Sequence, residues 1–92
     1  MNKSHLIETL AKTENLTIKT AEDVVNTIFK EMEKALIRSE RIEIRGFGSF
    51  KIKKYDSYNG RNPKTGKIIK VDSKQLPFFK VGRELKERVD KT

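Results

Sequence analysis

The chain has 92 residues, no cysteine and a formal net charge of +8. That length fits one small domain, disulfides and thiolate metal sites are excluded, and no apolar run approaches the ~20 residues that span a bilayer. Residues 1–40 carry six Lys/Arg against seven Asp/Glu, whereas residues 41–92 carry fifteen against six, so a near-neutral scaffold precedes a surface that attracts polyanions.

The opening residues Met1 to Leu6 lack the apolar centre of a secretion signal, which favours a cytoplasmic protein. Asn2 or Ser4 can cap a first helix, with Leu6, Ile7, Leu10 and Ala11 on one face. Glu14-Asn15 breaks that pattern, and Thr17 is placed to cap a second, longer helix. Its apolar positions are Ala21, Val24, Val25, Ile28, Phe29, Met32 and Leu36, at helical spacing almost without fault. Such a stripe is too apolar for one short neighbour. It predicts a core shared between two subunits, built from Val24, Val25, Ile28, Phe29, Met32 and Leu36 together with Phe47 and Phe50. An ordinary intrachain core has less material to pack against.

From Arg41 the period changes to two. Ile42 and Ile44 face one way; Arg41, Glu43 and Arg45 face the other. Gly46-Phe47-Gly48 makes a tight turn, and Phe50 and Ile52 resume the alternation. The return run contains Ile69, Val71, Leu76, Pro77 and Phe78. Between Lys53 and Ile68 apolar residues almost vanish, so this stretch has no face to bury. It is expected to project as a mobile two-stranded arm whose tip is poorly ordered without a ligand. Gly82 then opens a short C-terminal helix anchored by Leu85 and Val89, with Glu84 and Arg88 spaced for an ion pair.

The predicted fold class is α+β: two N-terminal helices, a three-stranded antiparallel sheet with a long β-ribbon arm, and a short C-terminal helix. Residues 1–92 form a single domain. Within it, 1–40 is a helical dimerisation base, 41–80 the sheet and arm (the arm at about 53–70), and 82–90 the last helix.

The arm carries the most telling segment, Gly60-Arg61-Asn62-Pro63-Lys64-Thr65-Gly66. Asn-Pro starts turns, and a Gly can finish one at positive φ. The Pro63 ring is compact and apolar and leaves no N–H unpaired, which suits a wedge between stacked bases; by local chemistry alone it suits a plain turn equally well. Arg61, Lys64, Lys67, Lys70, Lys53 and Lys54 read as phosphate contacts, and also as the charges that keep an exposed ribbon from aggregating. Lys3, Lys74, Lys80, Arg83 and Lys86 could clamp phosphates from the body, aided by free N–H groups at the start of the last helix. Gly46 and Gly48 are turn glycines first, although a closely approaching backbone could also meet phosphate. His5 reads as an exposed or capping residue. No His/Asp/Glu cluster has metal-ligand spacing, no nucleophile has a base, and no P-loop is present. Neither an enzyme, a metal, a cofactor nor a small-molecule substrate is predicted.

The order of elements and three segments resemble the HU/integration host factor family of bacterial DNA-bending proteins. The segments are Arg41-Ile42-Glu43-Ile44-Arg45-Gly46-Phe47-Gly48-Ser49-Phe50, the heptad 60–66, and Pro77-Phe78-Phe79-Lys80. The resemblance implies an intertwined dimer, of two copies or with a related subunit, whose arms embrace double-stranded DNA in the bacterial nucleoid. It implies that Pro63 enters between base pairs from the minor groove, with Asn62 beside it among the DNA-binding residues. Glu43-Ile44-Arg45 looks like the β subunit of integration host factor, where the arginine enters the minor groove and the glutamate orients it; otherwise Arg45 would pair with Glu43 across strands. The chain departs from the family in several places. Tyr55, Asp56, Tyr58 and Asn59 stand where arms usually carry more cations, Lys67 and Lys70 where several relatives have acids, and Val81 where a proline is usual. Tyr55 and Tyr58 could stack on sugars or pair across the ribbon. Two other classes fit the charge: an RNA-binding module, and an interaction subunit with acidic partners.

Overall fold

The computed structural model describes residues 1–91. Helix α1 spans Lys3–Thr13 and α2 spans Ile18–Ile37. Asn2 caps α1 by accepting the His5 backbone N–H at 2.8 Å, and Thr17 caps α2 by accepting that of Thr20 at 3.1 Å. Each such cap is worth about 1 kcal/mol. Asn15, at φ 52, turns the chain between them. The two helices bury Ile7 and Ala11 against Ala21 and Val25, flanked by Leu6 and Leu10.

That is the whole fully buried apolar core of the described protomer, and it corrects one expectation. Val25 does not belong to a shared subunit core. It is 3% exposed within a single chain, because it points at α1. The rest of the stripe lies open: Val24, Ile28 and Phe29 are exposed, and Met32 and Leu36 are half-buried. Phe29, Met32, Leu36 and Ile37 line one wall of a groove of about 470 Å³ whose other wall is Ile52 and Pro77 of the sheet. This open face fits the second subunit that the sequence predicts.

At the corner after α2, Ser39 sits at φ 60 and the Arg38 guanidinium donates to both carboxylate oxygens of Glu40 at 3.2 Å. That hydrogen bond and charge hold the Glu40 carboxyl below its ordinary range. Strands β1 (Ile42–Ile44), β2 (Gly48–Tyr55) and β5 (Lys74–Val81) form an antiparallel sheet in the order β1-β2-β5. The β1–β2 turn is closed by Phe47 N–H donating to the Ile44 carbonyl at 3.0 Å, with Gly46 at φ +83. Helix α3 (Arg83–Asp90) starts beside this turn, since Gly82 N–H donates to the Phe47 carbonyl at 2.9 Å. Phe79 packs at 4.8 Å from Phe50 and 5.4 Å from Phe47, between ring centroids.

The arm departs from a simple continuation of two strands. Strands β3 (Tyr58–Arg61) and β4 (Ile68–Val71) form a separate two-stranded ladder. Pairing stops at Tyr55↔Lys74 and resumes at Tyr58↔Val71, three residues further on each side, so the register never slips. The interruption holds Asp56-Ser57 on one strand and Asp72-Ser73 on the other. Asp and Ser are poor strand formers and offer the backbone competing local hydrogen bonds, which accounts for a break at the same level in both strands. With the arm extended, the protomer measures 60 × 34 × 27 Å. Among the described residues, no helix is long and apolar enough to cross a membrane.

Two substitutions test this architecture. A Cβ on Gly48 would stand 2.5 Å from the Lys80 carbonyl and 2.7 Å from the Phe79 ring. Gly48→Ala is expected to cost about 1–3 kcal/mol in denaturant unfolding, as overpacked sites do; an unchanged midpoint would show that the close approach is not required. Ile28→Glu is expected to abolish dimerisation and most helical signal together. A well-folded monomer by light scattering and circular dichroism would show that the open face of α2 is not a subunit core.

Candidate nucleic-acid interface

The arm tip is built around Asn62. Its backbone N–H donates to the Lys67 carbonyl at 2.8 Å, closing the ladder, and its carbonyl accepts the Gly66 N–H at 2.8 Å. Its side-chain oxygen accepts the Lys64 N–H at 2.9 Å, reaching over Pro63. Thr65 adds a longer bond, its hydroxyl accepting the Lys67 N–H at 3.3 Å. Gly66 closes the loop at φ +72. Gly60, by contrast, lies within β3, so the turn has one glycine boundary and not two. The outcome is a trans Pro63 ring exposed at the apex of the ribbon.

Strand pairing distributes the arm cations. Asn59↔Lys70 and Arg61↔Ile68 are cross-strand partners, so Arg61 and Lys70 share one face. Tyr58, Ile69 and Val71 occupy the other, where the Tyr58 ring and Val71 flank the bare backbone of Gly60. Cross-strand pairing is thus the Tyr58 role observed. Lys64 and Lys67 are exposed at the tip.

Lys53 and Lys54 separate. They are adjacent on β2 and therefore point to opposite faces. Lys54 is exposed, whereas Lys53 is half-buried with its ammonium 3.7 Å from the centroid of the Phe78 ring. Lys53 is engaged in covering the sheet, a cation–π contact that local sequence could not reveal. Lys74 lies 5.7 Å from the Tyr55 ring centroid in the same way.

A second cationic surface lies on the body. The β1–β2 turn and the start of α3 enclose a cleft of about 660 Å³ lined by Arg41, Glu43, Arg45, Gly46, Gly48, Lys80, Arg83 and Glu84 among others. Six residues singled out in the sequence thus come together: Glu43, Arg45, Gly46, Gly48, Lys80 and Arg83. Gly48 is a correction in kind, because it is buried beneath Phe79 and its role there is packing. Two charged lining residues were missed, Arg41 and Glu84. Arg41 could have been found, since it alternates in sequence with Glu43 and Arg45. Glu84 could not, because only the fold brings α3 to the turn. Among the described residues, Glu43 and Arg45 form no ion pair with each other; Glu43 stands opposite Ser49. Lys86 is exposed on α3 but does not line the cleft, and Lys3 donates to the Asn26 side chain at 3.0 Å, pinning the start of α1 to α2. Among the described residues, no group of three His, Cys, Asp or Glu side chains is placed to hold a metal.

Known proteins share this design. Residues 1–90 match the family model for bacterial DNA-binding protein. The integration host factor subunit beta of Actinobacillus succinogenes is 52% identical over 91 residues, covering 98% of this chain and 97% of the relative. That of Mannheimia succiniciproducens is 50% identical with the same coverage. Among solved structures, an Anabaena HU–DNA cocrystal structure superposes with a TM-score of 0.84 at 29% identity, over 97% of each chain. HU from Thermotoga maritima gives 0.67 at 30% identity, over 97% of this chain and 98% of that one. An exposed proline on a cationic ribbon, a cationic cleft beneath it and a match along the whole fold lead to one conclusion: the chain belongs to the bacterial DNA-binding protein family of HU and integration host factor.

Proposed function

We propose that this chain is an architectural protein that works as a dimer, binding duplex DNA and bending it through the minor groove by inserting Pro63. The observation that carries the reading is the Pro63 ring, exposed at the apex of an outstretched ribbon and bridged by the Asn62–Lys64 hydrogen bond. A compact apolar ring held in this way can enter a base step without leaving a donor unpaired. Unstacking one step costs a few kcal/mol, which the added contacts of a bent duplex offset.

Phosphate neutralisation supplies the affinity. Arg61 and Lys70 on one face of the arm, Lys64 and Lys67 at the tip, and Lys54 at its root follow the backbone. Arg45, Lys80 and Arg83 receive the duplex in the body cleft, with Arg45 directed to the minor groove and Glu43 lining the same cleft. Lys3, Lys74 and Lys86 contribute at the margins. Residues 1–40 serve as the dimerisation base, 41–80 as sheet and arm, and 82–90 as the helix that completes the cleft. The partner subunit is a second copy or a related family member, and the place of action is the bacterial nucleoid, in compaction and in recombination, replication or transcription complexes. No step requires chemistry on a substrate, so the protein acts without catalysis. RNA is disfavoured because the deep major groove and shallow minor groove of an A-form duplex suit a proline wedge poorly. An acidic protein partner gives the apex ring nothing to enter.

Two measurements test this. Pro63→Ala is expected to lower the bend angle read by energy transfer while changing affinity for a nicked duplex by less than about tenfold, since phosphate contacts dominate. An unchanged angle would remove the wedge. Wild-type affinity is expected to fall at least about 10³-fold between ~50 and ~200 mM salt, for six or more phosphate contacts per dimer. A flat log–log plot, or tighter binding of duplex RNA in competition, would remove the DNA reading.

A further inference from the structure

The body cleft is not uniformly positive. Arg41, Arg45, Lys80 and Arg83 line it, but so do Glu43 and Glu84. Glu84 is the acid that α3 brings to this cleft, beside the turn that carries Arg45. Its Oε2 lies 3.1 Å from the point where a Cβ on Gly46 would stand. The carboxylate therefore rests against bare backbone in the turn that presents Arg45. Gly46, at φ +83, leaves the room for it. Arg88 holds the carboxylate from one turn further along α3, at 3.4 Å. Both side chains of that pair are well over half exposed, so the pair is screened and adds little stability.

We infer that Glu84 is an affinity-limiting residue: its carboxylate lines the cleft where DNA phosphate is received and opposes phosphate there. The inference rests on the DNA-binding reading above. The carboxylate and an incoming phosphate carry the same sign and meet in one cleft, so each phosphate seated beside Arg45 or Arg83 works against it. The free N–H groups of the first turn of α3 face the same competition, since Glu84 is the acid of that turn. Arg88 moderates the effect by drawing the carboxylate along the helix. Arg83 is restrained in parallel, its guanidinium donating to Glu87 at 3.1 Å. The start of α3 thus offers its charge to the duplex only in part.

The test compares Glu84→Gln with Asp90→Asn. Both remove one negative charge from α3, but Asp90 lies about 9 Å further along the helix at ~1.5 Å per residue. Binding of intact and nicked duplex DNA by the whole chain is titrated across salt concentrations. Glu84→Gln is expected to tighten binding about fivefold at low salt and to steepen the log–log salt slope by about one. Asp90→Asn is expected to give less than about half of that gain, the remainder of a general charge effect. Equal gains from the two variants, or unchanged or weaker binding by Glu84→Gln with normal thermal unfolding, would overturn the inference alone. Absence of duplex binding by the wild-type chain would overturn the DNA reading on which it rests.

Discussion

The junction under Phe79 governs the rest of the molecule. Its ring lies on the bare backbone of Gly48 and between Phe47 and Phe50, so two segments distant in sequence meet in one small aromatic cluster. The cluster seats the β1–β2 turn against β5, and the Gly82–Phe47 hydrogen bond then fixes where α3 begins. Arg45 and Arg83 line one cleft because of this seating. The same two strands, β2 and β5, run outward to become the root of the arm. A disturbance at Gly48 would therefore reach both cationic surfaces at once, although Gly48 itself has no charge to offer.

A protomer so arranged cannot account for its own apolar surface. Its buried core is four side chains between α1 and α2, while Ile28 and Phe29 remain about half exposed. A patch of that kind on a chain of this size marks an interface. The dimer thus has two physical roles. On the proposed reading it buries the groove between α2 and the sheet, and it brings a second arm to the same duplex. Two arms on one partner would raise the effective concentration of the second contact, a gain that the proposed proline wedge needs, because one unstacked step is costly for a single weakly held ribbon.

Much of this was legible in the residues, for identifiable reasons. Caps and periodicity are local, so Asn2, Thr17 and the change from helical spacing to alternation at Arg41 located the elements. The tip was legible because Asn-Pro and Gly66 carry their turn chemistry with them. What stayed hidden was non-local. Val25 and Ile28 belong to one stripe, and only the angle at which α1 crosses decides that Val25 turns inward while Ile28 stays open. Lys53 and Lys54 look alike until the sheet assigns Phe78 to one of them. Glu84 lies far along the chain from Gly46, and no spacing rule joins them. The split of the arm was half visible: both Asp-Ser pairs are plain in the sequence, but only the common register of β2–β5 and β3–β4 puts them opposite each other.

That opposition divides the arm into a hydrogen-bonded tip and an unpaired joint. At the tip, Asn62 alone makes three hydrogen bonds that define the loop around Pro63. Ordering entropy there is spent on folding and is not charged again on binding. At the Asp56-Ser57 and Asp72-Ser73 level the strand pairing is interrupted, while the register on either side stays aligned. On the proposed DNA-bending reading, a tip closed by its own hydrogen bonds on a stem with an unpaired level answers two demands. The proline would present one shape to a base step, while the stem would follow a duplex whose path changes as it bends.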